Sequence, residues 1–132
     1  MRFISPSFHG VLDYAVAGAL ISVPLVLQFA ASSLAAAVIS VAAGIGLTVY
    51  SLLTDYSAGI RKLIPWHTHL TLDAVAAAAL LAAPFVLGFG GVARGFYVTV
   101  AIAVLAVVAT TQLNTDVRHE TASGAPAPRT VA

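Results

Sequence analysis

A long uncharged stretch dominates this sequence: residues 14–54 contain no Asp, Glu, Lys or Arg. A membrane-spanning helix needs about 20 apolar residues, so this stretch is long enough for two such helices. The composition agrees, because 60% of the residues are hydrophobic and only 8% are charged, whereas soluble domains carry about 25% charged residues. The sequence therefore excludes a water-soluble domain and predicts an integral membrane protein.

The alternation of apolar stretches with short polar turns predicts four membrane-spanning helices. We place them near residues 8–29, 34–54, 66–89 and 95–113. Helices are expected because backbone polar groups in lipid must form hydrogen bonds within their own segment. The predicted fold class is an all-α integral membrane four-helix bundle in residues 1–116. Residues 117–132 are rich in Pro, Ala, Ser and Thr, which predicts a disordered cytoplasmic tail.

The basic residues predict the orientation in the membrane, since Lys and Arg are enriched in cytoplasmic loops. In a four-span topology Arg94 lies on one side of the membrane. The other basic residues lie on the opposite side: Arg2, Arg61, Lys62, Arg118 and Arg129. We therefore predict a multi-pass protein of the cell inner (plasma) membrane with both termini in the cytoplasm. A cleaved secretion signal at the N-terminus is disfavoured because the first apolar stretch is too long and has a counterpart further along the chain.

That counterpart indicates an internal repeat at an offset of 60 residues. The offset aligns His9 with His69, Asp13 with Asp73, and Pro24 with Pro84; Thr54-Asp55 aligns with Thr115-Asp116 at an offset of 61. The sequence thus predicts two parallel helical-hairpin repeats, about 4–56 and about 64–116. Because each repeat has two spans, both insert with the same orientation, and a pseudo-two-fold axis along the membrane normal is expected.

Two His-x-x-x-Asp pairs supply the candidate site residues: His9 with Asp13, and His69 with Asp73. Residues four apart share one face of a helix, and the repeat places both pairs at the same depth near the cytoplasmic end. The ends of the second and fourth spans add polar groups to this layer: Tyr50, Thr54, Asp55, Asn114, Thr115 and Asp116. We expect the two pairs to approach each other at the centre of the bundle.

Four interpretations of these pairs stay open. The carboxylates could cap helix starts or bind loop backbone near the lipid headgroups. His9, Asp13, His69 and Asp73 could instead form a metal site, a ligand set acceptable to zinc or another divalent ion. The same residues are the cofactor-binding candidates, with His9 and His69 as axial haem ligands. A proton pathway is the fourth interpretation, although the uncharged stretch offers no polar groups in the outer half.

The remaining features restrict the function by exclusion. A net charge of +1 gives no basic surface for nucleic acid, and the absence of cysteine excludes thiolate chemistry. No catalytic constellation is evident, which leaves enzymatic activity open. The aromatic residues near the predicted boundaries are expected to form interfacial belts: Tyr14, Tyr56, Trp66, Phe96 and Tyr97. The predicted partners are the lipid bilayer and either a second copy or another membrane protein.

Several segments resemble a known family. Residues 21–29 and 82–89, each centred on a proline, resemble the core of the SPW repeat of small bacterial membrane proteins, with Val23, Ala83, Leu25 and Phe85 at the Ser and Trp positions. Residues 9–14, 54–56 and 93–97 are similar to a family of four-span bacterial inner-membrane proteins that carries no established activity. The resemblance covers residues 3 to about 116 and implies membership and topology.

From sequence, we interpret the chain as a small integral membrane protein with a structural or interaction role and a His/Asp polar cluster at its cytoplasmic end. The alternative is a haem-, metal- or proton-binding membrane protein that uses His9, Asp13, His69 and Asp73.

Overall fold

The computed structural model describes residues 3–113, and every regular element in that range is a helix. The helices are α1 (Pro6–Val26), α2 (Phe29–Ser32), α3 (Leu34–Leu52), α4 (Trp66–Val86) and α5 (Gly91–Thr110). All but the short α2 are long and apolar enough to cross a membrane. The prediction of an all-helical chain with four helices long and apolar enough to span a membrane is therefore confirmed for the described residues. The tail at 117–132 and residues Asn114, Thr115 and Asp116 lie outside the described range.

The helix boundaries differ from the predicted spans by a few residues, and the backbone shows why. The first helix stops at Val26 rather than residue 29 because Gln28 takes a left-handed conformation, φ 52°, so α2 replaces the expected turn. The fourth span starts at Gly91 rather than residue 95. Arg94 is thus inside the first turn of α5, where its Nε donates to the Phe89 carbonyl at 2.8 Å.

Helices α1 and α3 pack together, as do α4 and α5, to give two hairpins. Small residues permit the close approach within the first hairpin. A Cβ atom added at Gly44 of α3 would lie 2.7 Å from Ile21 Cγ1 and 2.8 Å from the Ala17 carbonyl oxygen of α1. Gly44 therefore sets the distance between these two helices.

Pro24 interrupts the hydrogen bonding of α1, since proline has no N–H to offer the carbonyl four residues earlier. That carbonyl belongs to Leu20, and the buried Ser40 hydroxyl of α3 donates to it at 2.7 Å. The carbonyl that Pro24 leaves without a donor is thus satisfied by the neighbouring helix, as a helix in lipid requires.

The two hairpins meet at both ends of the bundle. At one end the buried Tyr97 of α5 donates its hydroxyl hydrogen to the Ala36 carbonyl of α3 at 2.7 Å, among the aromatic rings of Phe29 and Phe89. The prediction that Tyr97 belongs to an interfacial belt is therefore wrong. At the opposite end, where α1 and α4 begin, the contact between hairpins is made by histidine and aspartate.

Short backbone pairings hold the chain at this second end. The Gln112 N–H donates to the Ile4 carbonyl at 2.9 Å, and the Asp55 N–H donates to the Ile64 carbonyl at 2.9 Å. Each pairing tethers a residue two positions before a histidine-bearing helix to a residue two or three positions after the end of α5 or α3. The ends of all four long helices are thereby fixed around the polar cluster.

Candidate metal centre

The two His-x-x-x-Asp pairs come together in one buried cluster. His9 and Asp13 lie on α1, and His69 and Asp73 lie on α4. Their relative exposures run from 0% to 6%, and each offers one ligand atom within 4.8 Å of the other three. The prediction that the pairs approach each other in the bundle is confirmed.

The contacts cross between the hairpins as well as running along each helix. His9 Nε2 lies 2.9 Å from Asp73 Oδ2, and His69 Nε2 lies 3.1 Å from Asp13 Oδ2. Along the helices, His9 Nε2 is 3.2 Å from Asp13 Oδ1 and His69 Nε2 is 3.1 Å from Asp73 Oδ2. Both Nε2 atoms therefore point into the shared centre.

The opposite ring nitrogens are held by threonine hydroxyls. His9 Nδ1 lies 2.8 Å from Thr111 Oγ1, and His69 Nδ1 lies 2.8 Å from Thr54 Oγ1. These hydroxyls donate their own hydrogens to backbone carbonyls, Thr111 to Val107 at 2.6 Å and Thr54 to Tyr50 at 2.7 Å.

This arrangement fixes the imidazole tautomers. Because each threonine oxygen has already given its hydrogen to a carbonyl, it can only accept a hydrogen bond from the ring. Nδ1 therefore carries the hydrogen in both His9 and His69. A neutral ring of this tautomer presents the Nε2 lone pair to the centre, as a metal-ligating histidine with a fixed outer partner does.

The two carboxylates also have outer partners. Tyr50 donates to Asp73 Oδ1 at 2.5 Å, and Tyr56 donates to Asp13 Oδ2 at 3.3 Å. Burial raises the pKa of Tyr56, which lies in the loop between α3 and α4, so its phenol stays protonated and acts as the donor. Each of the four central side chains is thus oriented by a second residue.

Aromatic rings enclose the cluster. The Trp66 ring stacks on His69 with centroids 5.6 Å apart and meets His9 edge-on at 5.1 Å, while Tyr56 contacts both Trp66 and His69. Trp66 and Tyr56 are 4% and 5% exposed. The prediction that they belong to an interfacial belt is wrong, because they bury the cluster instead.

A glycine makes this enclosure possible. A Cβ atom at Gly10 of α1 would lie 2.0 Å from Cε2 and 2.7 Å from Cδ2 of Tyr56. Only a residue without a side chain lets the Tyr56 ring lie against the helix at this point.

Other polar residues of the predicted layer have different positions. Asp55 is about half exposed and pairs with Lys62 at 2.9 Å on the surface, and His67 is exposed. Sequence reasoning assigned Tyr50 and Thr54 to the layer correctly but missed Thr111. The alignment of the repeats made Thr115 the counterpart of Thr54, whereas Thr111 is the residue that contacts His9 Nδ1. The register of Thr111 becomes visible only in the structure, where the buried residues Ala93, Tyr97 and Ala101 of α5 repeat the spacing of Ala36, Ser40 and Gly44 in α3.

The donor set fits a divalent transition-metal ion. Imidazole nitrogen and carboxylate oxygen are both zinc ligands, and nitrogen ligands disfavour Mg²⁺ and Ca²⁺. Two carboxylates balance the charge of a divalent ion, which removes the cost of burying unpaired charge.

Comparison with known proteins identifies no relative: no protein-family model, curated protein or solved structure matches the chain.

Proposed function

We propose that this chain is a multi-pass membrane protein whose two hairpins are joined by a divalent metal ion of the zinc class, bound by His9, Asp13, His69 and Asp73. The observation that carries the proposal is the convergence of four buried ligand atoms, two from each hairpin, which all lie within 4.8 Å of one another. Both Nδ1 hydrogens are tied to threonine oxygens, which leaves both Nε2 atoms directed at two buried carboxylates.

A structural role follows from where the ligands lie. Each hairpin contributes one histidine and one aspartate, so an ion at this centre would bond both halves of the molecule. A bound ion adds its binding free energy to the folded state. The site therefore serves as the connection between hairpins at the end of the bundle opposite Tyr97.

The second candidate is a metal-free cluster that shares protons between imidazoles and carboxylates. It is supported by the separations of 2.9–3.2 Å between Nε2 and carboxylate oxygen atoms, which are hydrogen-bond lengths when one partner carries a hydrogen. Haem ligation has less support, because each Nε2 faces a carboxylate oxygen and neither has a free axial direction.

Metal analysis of the purified protein tests the proposal. We expect about one equivalent of a transition metal after purification without chelator, and binding of added Co²⁺ with visible absorption bands. His9→Ala and His69→Ala should abolish both signals. His67→Ala is the matched control, since His67 lies on the same helix as His69 but is exposed, and it should retain them.

A protein that contains no metal and shows no Co²⁺ spectrum after titration would contradict the metal proposal. The proton-sharing cluster would then be the better description. Retention of full metal binding by both His9→Ala and His69→Ala would also contradict the assignment of the ligands.

We further propose that the hairpins are duplicated and related by a pseudo-two-fold axis along the membrane normal. The buried positions support this: those of α1 and α4 match at the predicted offset, His9, Asp13, Ala17, Leu20 and Pro24 against His69, Asp73, Ala77, Leu80 and Pro84. Thr54 and Thr111 hold equivalent histidines, which pairs Thr54 with Thr111 rather than with Thr115.

The cellular setting is part of the same proposal. The basic residues support an inner (plasma) membrane location with both termini in the cytoplasm, and the resemblance of residues 3 to about 116 supports membership of the SPW-repeat-like family. The polar cluster would then lie at the cytoplasmic end of the bundle.

A further inference from the structure

We propose that a cavity beside the His/Asp cluster binds a membrane-soluble molecule that has an apolar body and a hydroxyl head group. The cavity lies between the two hairpins, receives side chains from all four long helices, and has a volume of about 330 Å³. Ligand sites in proteins commonly measure about 300–1,000 Å³. This inference concerns a different ligand from the metal ion and holds for either form of the cluster.

The cavity is polar at one end and apolar elsewhere. Its polar end is formed by His9, Asp13, Tyr50 and Asp73. The rest of its wall is aliphatic and includes Val16, Leu20, Leu47, Leu80, Val104 and Val107. Such a wall binds a hydrocarbon chain by apolar contact. Because the wall offers no hydrogen-bonding group, only the polar end of the cavity can fix the orientation of the ligand.

The position of small residues indicates access from the lipid. Gly46 of α3 and Ala103 of α5 both line the cavity and are exposed on the bundle. A Cβ atom at Gly46 would meet nothing within 4 Å. Because these positions lie in membrane-spanning helices, the opening between them faces acyl chains, and a lipid-soluble molecule can enter sideways.

The charges at the polar end select the head group. Asp13 is the most exposed member of the cluster, at 6%, and its Oδ1 faces His9 Nε2 at 3.2 Å. A carboxylate oxygen accepts more than one hydrogen bond, so Asp13 has capacity for a donor in the cavity. A hydroxyl supplies that donor, whereas an ionised carboxylate head group only accepts hydrogen bonds and has no hydrogen to offer Asp13.

Photo-crosslinking of the full chain in lipid nanodiscs tests this proposal. The probe is a ten-carbon primary alcohol that carries a diazirine in its chain, and the comparison probes of equal length end in a methyl group or a carboxylate. We expect the alcohol to label the cavity-lining segments of α1 and α3–α5, with competition by excess 1-decanol. Asp13→Leu should reduce alcohol labelling roughly tenfold, the loss of one hydrogen bond to a charged group.

Paired alanine-to-leucine substitutions test whether the probe binds inside the cavity. Ala76→Leu fills the cavity, whereas Ala78→Leu adds the same side chain at an exposed position of the same helix. Labelling should be lost in Ala76→Leu and retained in Ala78→Leu. Ala43→Leu, with the exposed Ala42→Leu as its control, repeats the comparison on α3 should Ala76→Leu fail to fold.

The outcomes separate cleanly. Equal labelling by the three probes means that lipid chains fill the cavity without recognition of a head group, and this overturns the proposal. Labelling that survives both cavity-filling substitutions overturns the location. A phenol-headed probe of equal apolar length distinguishes a quinol-like ligand from an aliphatic alcohol, since the better competitor identifies the source of the hydroxyl.

Discussion

At the scale of single residues, the threonines next to the cluster orient its two histidines. Thr54 and Thr111 are small and uncharged, yet their hydroxyls decide which nitrogen of each imidazole carries the hydrogen. Outer partners of this kind commonly change metal affinity by about 10- to 100-fold. The ligand atoms and the residues that orient them must therefore be considered together.

Thr111→Val tests this role directly. Valine keeps the shape of threonine but cannot accept the hydrogen bond from His9 Nδ1, so we expect metal affinity to fall by about 10- to 100-fold while the helical content is unchanged. Competition titration with a chromophoric chelator measures the affinity. Thr110→Val is the control, because the Thr110 hydroxyl bonds the Ala106 carbonyl of its own helix; an equal loss in both variants would contradict the role of Thr111.

Gly10 provides a second prediction at this scale. Gly10→Ala places a methyl group inside the Tyr56 ring, so Tyr56 must leave Asp13 and the protein should lose about 1–3 kcal/mol of unfolding free energy, as for overpacking in a core. Gly18→Ala on the same helix meets no atom within 4 Å and should instead gain about 0.5–1 kcal/mol from the helix preference of alanine. Unfolding in detergent micelles compares the two variants. Similar unfolding free energies for Gly10→Ala and Gly18→Ala would exclude the close contact between Gly10 and the Tyr56 ring.

At the scale of elements, α1 depends on α3 for a hydrogen bond that its own sequence cannot provide. The Leu20 carbonyl is left without an intrahelical donor by Pro24, and Ser40 supplies one. A buried carbonyl without a partner costs about 1–3 kcal/mol. The proline and the serine, which lie on different helices, should therefore be energetically coupled.

A double-mutant cycle measures that coupling. Ser40→Ala should cost about 1–3 kcal/mol in the natural sequence, but much less in the Pro24→Ala background, where the new N–H at position 24 can bond Leu20. Ser22→Ala serves as the control, because the exposed Ser22 hydroxyl bonds the Gly18 carbonyl of its own helix. Strict additivity of Ser40→Ala and Pro24→Ala would show that the two residues do not share this carbonyl.

The same scale shows what the sequence could predict and where it failed. The uncharged stretch was sufficient to predict the spans, and the repeat of His9 and Asp13 at an offset of 60 residues was sufficient to predict the cluster, because span length and repeat offset are read directly from the sequence. The burial of Tyr56 and Trp66 was missed, since an aromatic residue at a helix end is equally consistent with a lipid headgroup region. Thr111 was missed because register between distant helices depends on packing, which no local pattern records.

At the scale of the whole molecule, the orientation in the membrane decides which compartment the cluster faces. The chain contains no cysteine, so single cysteines can be introduced without a background. Ser57→Cys lies in the loop between α3 and α4, and Ala31→Cys lies between α1 and α3; both positions are exposed. The proposed topology places them on opposite sides.

Labelling of intact cells with a membrane-impermeant maleimide tests the orientation. Ala31→Cys should react from outside, whereas Ser57→Cys should react only after permeabilisation. The reverse pattern would place the cluster at the outer face and contradict the orientation inferred from the basic residues, while leaving the four-helix architecture intact.

The sole tryptophan of the chain stacks on the His69 ring and meets the His9 ring edge-on, and this gives the molecule a built-in optical reporter. Indole emission responds to a nearby imidazole, so ion binding at Nε2 should alter the intensity of Trp66 without any attached dye. Zn²⁺ added to chelator-treated protein should give a saturable change that His9→Ala removes and His67→Ala keeps. If ion binding is measured independently and the Trp66 emission intensity does not change, then the indole fluorescence does not respond to the His9 and His69 rings.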